Sequence, residues 1–297
     1  MIKIFEKTIK EHLSNHLTQN DFPFSYLKFS TVTSGSGLND KVIFLIFKNR
    51  APLPFLCLKT VRNYGAKQAI LRNFDNLKKL NAITRESPHA RLFAEALCLY
   101  DDGENIFSIE TACFGEKLSL GRKTLKTVVM EYISFQEYLA KQGNSLTRDM
   151  GQLTKETLIK SGLSGSVQDK LLKYIAQFPS ADIKLPRIIQ HGDLTLDNLL
   201  WSKSGLCIID YDYVGNSDLP GFDLFSLFHR FNRSNLVELC REYFPFYFKK
   251  IGGEFRGDDY RGLLLLYRLI EYSQSGSPNC GSASFEEIIS DFENLFS

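Results

Sequence analysis

The residues with the most chemistry in them lie between Ile188 and Gly215, in the run IIQHGDLTLDNLLWSKSGLCIIDYDYVG. His191, Asp193 and Asn198 stand before one apolar stretch, and Asp210 and Asp212 stand after the next. Carboxylates at strand ends are poor core material, because a buried charge needs a partner. They suit a site that holds a metal and a reacting hydroxyl. Asp193 is a candidate base. Asn198, five residues on, offers a neutral oxygen ligand, and Asp210 a hard carboxylate. Moving a phosphoryl group onto a hydroxyl asks for little more than this: a base, one or two Mg²⁺ ions on carboxylate and amide oxygens, a Lys on the phosphates and a glycine loop over them.

The run reads as strand, turn, strand, with the turn at Lys203-Ser204-Gly205, so that Asp210 returns to the side from which Asn198 left. Upstream, Met1 to about Leu17 has helical periodicity. Phe29 to Phe47 reads as two strands around a glycine loop, and Pro54 to Lys59 as a third strand. Lys67 to Ile83 reads as a helix with Ile70, Phe74, Leu77 and Leu80 on one stripe. ALCLYDDGENIFSIETACFG reads as a hairpin turning at Asp101-Asp102-Gly103. Downstream, helices are expected over Phe135–Gln142, Lys155–Leu163, Gln168–Phe178, Phe222–Phe231, Leu236–Lys250, Tyr260–Ser273 and Phe285–Phe296. The expected division is 1–110, an N-terminal helix and a β-rich nucleotide-binding lobe, and 111–297, a helical catalytic and substrate-binding lobe.

HGDLTLDN resembles the catalytic loop H-G-D-x-x-x-x-N of the aminoglycoside phosphotransferase and choline kinase superfamily. CIIDYDY is similar to its metal-binding segment, and PGFDLFSLF to the helix start that follows. Twelve residues separate Asn198 from Asp210 and thirteen separate Asp210 from Asp223, as the pattern asks. With falling specificity, TSGSGLNDKVIFLI resembles the family's glycine loop, FLCLK its phosphate-binding Lys, and IFSIETACFGEKL its last strand and hinge.

The resemblance implies an α+β, two-lobed protein-kinase-like fold, with a small antiparallel sheet and one helix in the first lobe and a larger helical second lobe. It implies Asp193 as the catalytic base and Asn198 and Asp210 as Mg²⁺ ligands. ATP, with GTP as an alternative, would lie on Gly35, Ser36, Gly37 and Lys59, with its base against Thr111 to Cys113 at the hinge. Leu200 and Ile209 would floor the base pocket or serve as plain core. His191 would brace the loop. Asp212 is either a second acid at the metal or a solvated carboxylate. Asp223 fits a helix N-cap that holds the loop.

One departure stands out. The family's first-lobe helix carries a Glu that pairs with the Lys, and here Asn73 stands at that place, on the Leu77–Leu80 face. Asp75 lies too far around the helix to replace it. Two readings follow. The first is an ATP-dependent phosphotransferase acting on a hydroxyl of a small molecule: a sugar, an amino alcohol or an aminoglycoside-like compound. The second is a non-catalytic, nucleotide-binding pseudokinase, which Asn73 favours. A protein kinase is disfavoured, because only twelve residues lie between Asp210 and Asp223.

Composition narrows the partners. The chain of 297 residues has 36 basic and 34 acidic side chains, so no broad basic face for nucleic acid is expected. No apolar run is long enough to cross a membrane, and the start has no apolar leader core; a cytoplasmic location is expected. Six cysteines are scattered without a C-x-x-C pair, and read as buried, reduced thiols. His12 and His16 have metal-like spacing but no third ligand, and read as a solvated helix face.

Overall fold

The computed structural model describes residues 28–33, 41–48, 51–117, 122–142, 147–178, 184–202, 205–253, 260–274 and 285–294. The expected first helix with His12 and His16, the glycine loop with Gly35, Ser36 and Gly37, and Cys280 lie outside them. Contacts divide the chain into two units, 1–118 with 197–212, and 119–196 with 213–297.

The first unit is built on a five-stranded antiparallel sheet of β1 (Lys28–Thr33), β2 (Lys41–Phe47), β3 (Pro54–Val61), β4 (Ala96–Asp101) and β5 (Ile106–Thr111), in the order β1-β2-β3-β5-β4. Strand β3 is central and covered on both faces, which is why its sequence is a nearly unbroken apolar run with Lys59 inside it. Helix α1 (Lys67–Thr84) lays Ile70, Phe74, Leu77 and Leu80 on the sheet, touching β3, β4 and β5. Ile46, Leu56, Leu58, Phe107 and Ile109 form the core on the sheet. At the β4–β5 turn the Asp102 carboxylate accepts from the Asn105 and Glu104 backbone N–H groups, which hold its pKa down to about 2, and Gly103 takes φ 92°.

A second sheet of this unit joins β6 (Glu116–Lys117) to the hairpin β9 (Leu199–Ser202) and β10 (Gly205–Ile208). A Cβ on Gly115 would meet the Trp201 carbonyl oxygen at 2.6 Å, so only glycine lets the hinge segment approach the hairpin this closely.

The second unit is mostly helical. Helices α2 (Arg122–Gln142) and α3 (Met150–Lys160) are separated by the short strand β7 (Thr147–Asp149). Helix α4 (Gly165–Ile175) follows, then β8 (Lys184–Pro186), which pairs with β7. The remaining helices are α5 (Phe222–Phe231), α6 (Leu236–Lys250), α7 (Tyr260–Gln274) and α8 (Phe285–Glu293). Helix α2 begins thirteen residues before the expected Phe135, since its first half carries Thr and Val that read poorly as helix. Burial of Leu125, Val128, Val129 and Tyr132 overrides that weak propensity. Helix α3 begins at Met150 rather than Lys155, because the Asp149 carboxylate caps it through the Gln152 N–H. Phe222, Phe225, Phe228, Phe244, Tyr247 and Tyr267 fill the core between α5, α6 and α7.

Candidate active site

Lys59 is 4% exposed and its ammonium is held from two sides. Asn73 Oδ1 accepts from Nζ at 3.0 Å, which places Asn73 on the inward face as the helical stripe implies. The counter-charge comes from Glu110 on β5, whose Oε1 lies 2.9 Å from Nζ. Cys57 pairs with Glu110 and Lys59 with Ser108 across β3 and β5, so Lys59 and Glu110 are diagonal neighbours on one face. Burial alone would lower the Lys59 pKa, but the Glu110 charge outweighs it and lifts the pKa above its ordinary value. The same burial, with Glu110 adding to it, pushes the neighbouring Cys57 thiol up to about 12. Glu110 has no counterpart in the sequence reading. Its only local signal is a Glu in a strand otherwise buried along its length.

Asn198 and Asp210 flank the open end of the β9–β10 hairpin, where the Ile209 N–H donates to the Asn198 carbonyl at 2.9 Å. Asp210 adopts φ 66°, the only non-glycine residue in the left-handed region among the described residues. That backbone costs about 1–2 kcal/mol for an L-residue. It turns the Asp210 carboxylate to the same side as that of Asp212. Lys41, at the head of β2, brings Nζ to 2.6 Å from Asp210 Oδ1 and 2.7 Å from Asp212 Oδ2. Asn73 Nδ2 donates to Asp212 Oδ1 at 2.9 Å, linking this pair to the Lys59 cluster. Asp212 is therefore engaged, not merely solvated. Two carboxylates that converge on an ammonium, with Asn198 across the open end of the same hairpin, are hard-oxygen groups of the kind that would suit a Mg²⁺. No cluster of three or more His, Cys, Asp or Glu with ligand spacing occurs among the described residues.

At the hinge, the Thr111 and Ala112 N–H groups already donate to the Glu95 and Phe55 carbonyls, at 2.9 and 3.0 Å. Leu200 and Ile209 are half-buried on and beside the hairpin. The expectation of reduced thiols is corrected here: Cys113 and Cys207 form a disulfide across 94 residues, with Cα atoms 6.3 Å apart. The approach of the hinge segment to the hairpin at Gly115 and Trp201 brings the two sulfurs together, a long-range contact that spacing alone does not reveal. Cys57, Cys98 and Cys240 are free and buried, as expected.

In the second unit, the loop carrying His191 and Asp193 hangs on Asp223. This fully buried carboxylate accepts from the backbone N–H groups of His191 at 2.6 Å and Gly192 at 2.8 Å, and from the Tyr132 hydroxyl. Burial pushes the Asp223 carboxyl above its ordinary pKa, and the nearby His191 and the donated bonds offset only part of that. Asp223 holds the loop, but from inside helix α5; the N-cap position is Gly221, with φ 86°. Gly192 has φ 85°, and a Cβ there would lie 2.4 Å from the Tyr213 carbonyl oxygen. Gln190 ties the loop to α2 through Gln136, at 2.7 Å, and the Tyr247 hydroxyl donates to the same Gln136 oxygen at 3.3 Å. Gln136, Gln190 and Tyr132 are further residues that the sequence reading did not single out. Asp193 is half-buried, and its carbonyl accepts from the Thr195 N–H at 2.9 Å.

The sequence model of the phosphotransferase enzyme family matches residues 131–261, a span containing Asp193, Asn198, Asp210 and Asp223. Among solved structures, a thermostable mutant of aminoglycoside phosphotransferase APH(4)-Ia, in ternary complex with ADP and hygromycin B, superposes with a TM-score of 0.58 at 12% identity, covering 96% of this chain and 98% of that one. The fold is that of the aminoglycoside phosphotransferases and choline kinases. Choline kinase LicA from Streptococcus pneumoniae shares it with a TM-score of 0.54 at 15% identity, over 98% of this chain and 99% of the other. Amicoumacin kinase hAmiN, solved with AMP-PNP and Ca²⁺, does so with a TM-score of 0.52 at 12% identity, over 96% and 94%. No curated protein sequence matches significantly. The resemblance read from HGDLTLDN and CIIDYDY thus holds, and the kinase-like α+β fold with it.

Proposed function

We propose that this chain is a small-molecule kinase that transfers the γ-phosphoryl group of ATP to a hydroxyl. The observation that carries this reading is the convergence of Asp210 and Asp212 on one cation, at the open end of a hairpin that Asn198 also flanks. In this reading Asp193 takes the proton of the acceptor hydroxyl as its oxygen bonds to phosphorus, while the bond to the leaving ADP breaks. Asn198 and Asp210 would hold Mg²⁺, with Asp212 beside them, and the ion would supply charge neutralisation on the phosphates. Lys59, kept protonated by Glu110, contacts the phosphates. By the sequence resemblance Gly35, Ser36 and Gly37 would cover them, and Thr111, Cys113, Leu200 and Ile209 would line the base pocket. Cys113 would do so with its backbone, since its sulfur is spent on Cys207. The nucleotides bound by two of the similar proteins support a nucleotide donor. The pseudokinase alternative drew on Asn73, and Glu110 weakens it by supplying the charge that Asn73 lacks.

The test is ADP release from Mg²⁺-ATP across a panel of hydroxyl acceptors, with thermal stability read alongside. Asp193→Asn is expected to keep the Mg²⁺-ATP stability shift and lose about 10²–10⁴-fold in turnover, the usual worth of a positioned base. Equal turnover in the variant would refute the assignment of Asp193.

A further inference from the structure

The helical unit contains a cavity of about 260 Å³ next to Asp193, lined also by Tyr213, Phe222, Ser226, Arg230 and Glu271. Three of these side chains carry formal charge: Asp193, Glu271 and Arg230. One oxygen of the Glu271 carboxylate is already engaged, with Oε2 2.5 Å from Arg268 Nη1 and 3.5 Å from His229 Nδ1. Burial alone would raise its pKa, yet His229 and Arg268 outweigh that and hold it below the ordinary carboxylate value. Arg268 also meets Asp291 at 2.5 Å, and Asp291 meets Arg233 at 2.9 Å. Two carboxylates and two guanidinium groups thus balance one another. Arg230 differs. It is exposed at the last turn of α5 and has no carboxylate within ion-pair distance among the described residues.

An ammonium-bearing acceptor entering this cavity would share the Glu271 charge with Arg268 and His229, and Asp193 paired to an ammonium would be a weaker base. An anion, in contrast, meets a guanidinium whose planar donors match a carboxylate or phosphate by two parallel bonds. The volume equals that of about nine water molecules at ~30 Å³ each, enough for the reacting end of one sugar-sized molecule.

We propose that the acceptor held in this cavity carries an anionic group, a carboxylate or a phosphate ester, anchored by Arg230, and that polyamine acceptors of the aminoglycoside kind are not its substrates. This rests on the reading that Asp193 faces an acceptor hydroxyl. The experiment measures binding of four matched probes, glucose, gluconate, glucose 6-phosphate and glucosamine, to the full chain by calorimetry, with turnover from Mg²⁺-ATP followed separately. The wild type, Arg230→Gln and Arg230→Lys are compared. Gluconate or glucose 6-phosphate is expected to bind the wild type most tightly. Binding should weaken about 10- to 100-fold in Arg230→Gln, the usual range for a hydrogen bond to a charged group, and recover in part in Arg230→Lys. Whichever of the two anions shows that loss names the anion. Preference for glucosamine, or anion binding that Arg230→Gln leaves unchanged or that is absent, would overturn the inference. Arg230-dependent binding without phosphoryl transfer would uphold the inference and count against the kinase reading. Transfer to glucosamine would do the reverse.

Discussion

Lys59 illustrates what a buried cation requires of its neighbours. Its place in β3 is legible in FLCLK, although the strand runs two residues further, to Val61, and Asn73 is legible from the helical stripe. The carboxylate that neutralises it is not, because Glu110 is 51 residues away and meets Lys59 only through strand register. Removing one partner of a buried pair leaves an uncompensated charge and costs about 3–5 kcal/mol. Glu110→Gln is therefore expected to lower stability by that amount in urea titration. The double variant Glu110→Gln with Lys59→Met, which also removes the orphaned ammonium, is expected to regain more than half of it. If the double variant is no more stable than Glu110→Gln alone, the cost does not come from an uncompensated Lys59 charge. Asp210 follows the same lesson: its residue type is plain from the sequence, but its left-handed backbone is not, since nothing in IIDYDY calls for a positive φ.

At the scale of elements, helices α5, α7 and α8 are joined by one charged node of His229, Arg233, Arg268, Glu271 and Asp291. The carboxyls of Glu271 and Asp291 are held below their ordinary values of 4.5 and 3.8, because His229 and Arg268 at the first, and Arg268 and Arg233 at the second, outweigh the burial that would raise them. A depressed folded-state pKa means that the unfolded chain takes up protons first. The node's stabilisation is thus present above those ordinary values and is lost as pH falls through the depressed ones. The melting temperature is expected to drop between about pH 5 and pH 3, and Arg268→Gln should flatten that acid limb while lowering stability at neutral pH. An equally steep limb in the variant would place the titrating groups elsewhere. The helices α5 and α6 are legible to the residue, because their apolar stripes are strong. Helix α2 is legible only in its second half, since Thr and Val obscure a first half that tertiary burial determines. A second expectation concerns the hairpin β9–β10, tied to the hinge by Cys113–Cys207. Cys207→Ser is expected to cost about 2–4 kcal/mol, the usual worth of a cross-link that restrains the unfolded chain. An unchanged urea midpoint under non-reducing conditions would show that the bond does not form.

For the whole molecule, contacts divide the chain into two units, and the chain passes from one to the other at 118/119, 196/197 and 212/213. Unfolding of 297 residues should absorb about 200 kcal/mol near 60 °C at ~0.7 kcal/mol per residue. With two units, the calorimetric enthalpy is expected to exceed the van't Hoff enthalpy, and equality would mean that the units melt as one. The disulfide adds a consequence of another kind. It closes a covalent ring from Cys113 to Cys207 that contains Asp193, Asn198 and all of helices α2, α3 and α4. A protease that cuts once anywhere inside that ring opens it without releasing a fragment. Such a clipped protein would run at full mass until a reductant is added, and the residues on both sides of the cut would stay tethered to one another.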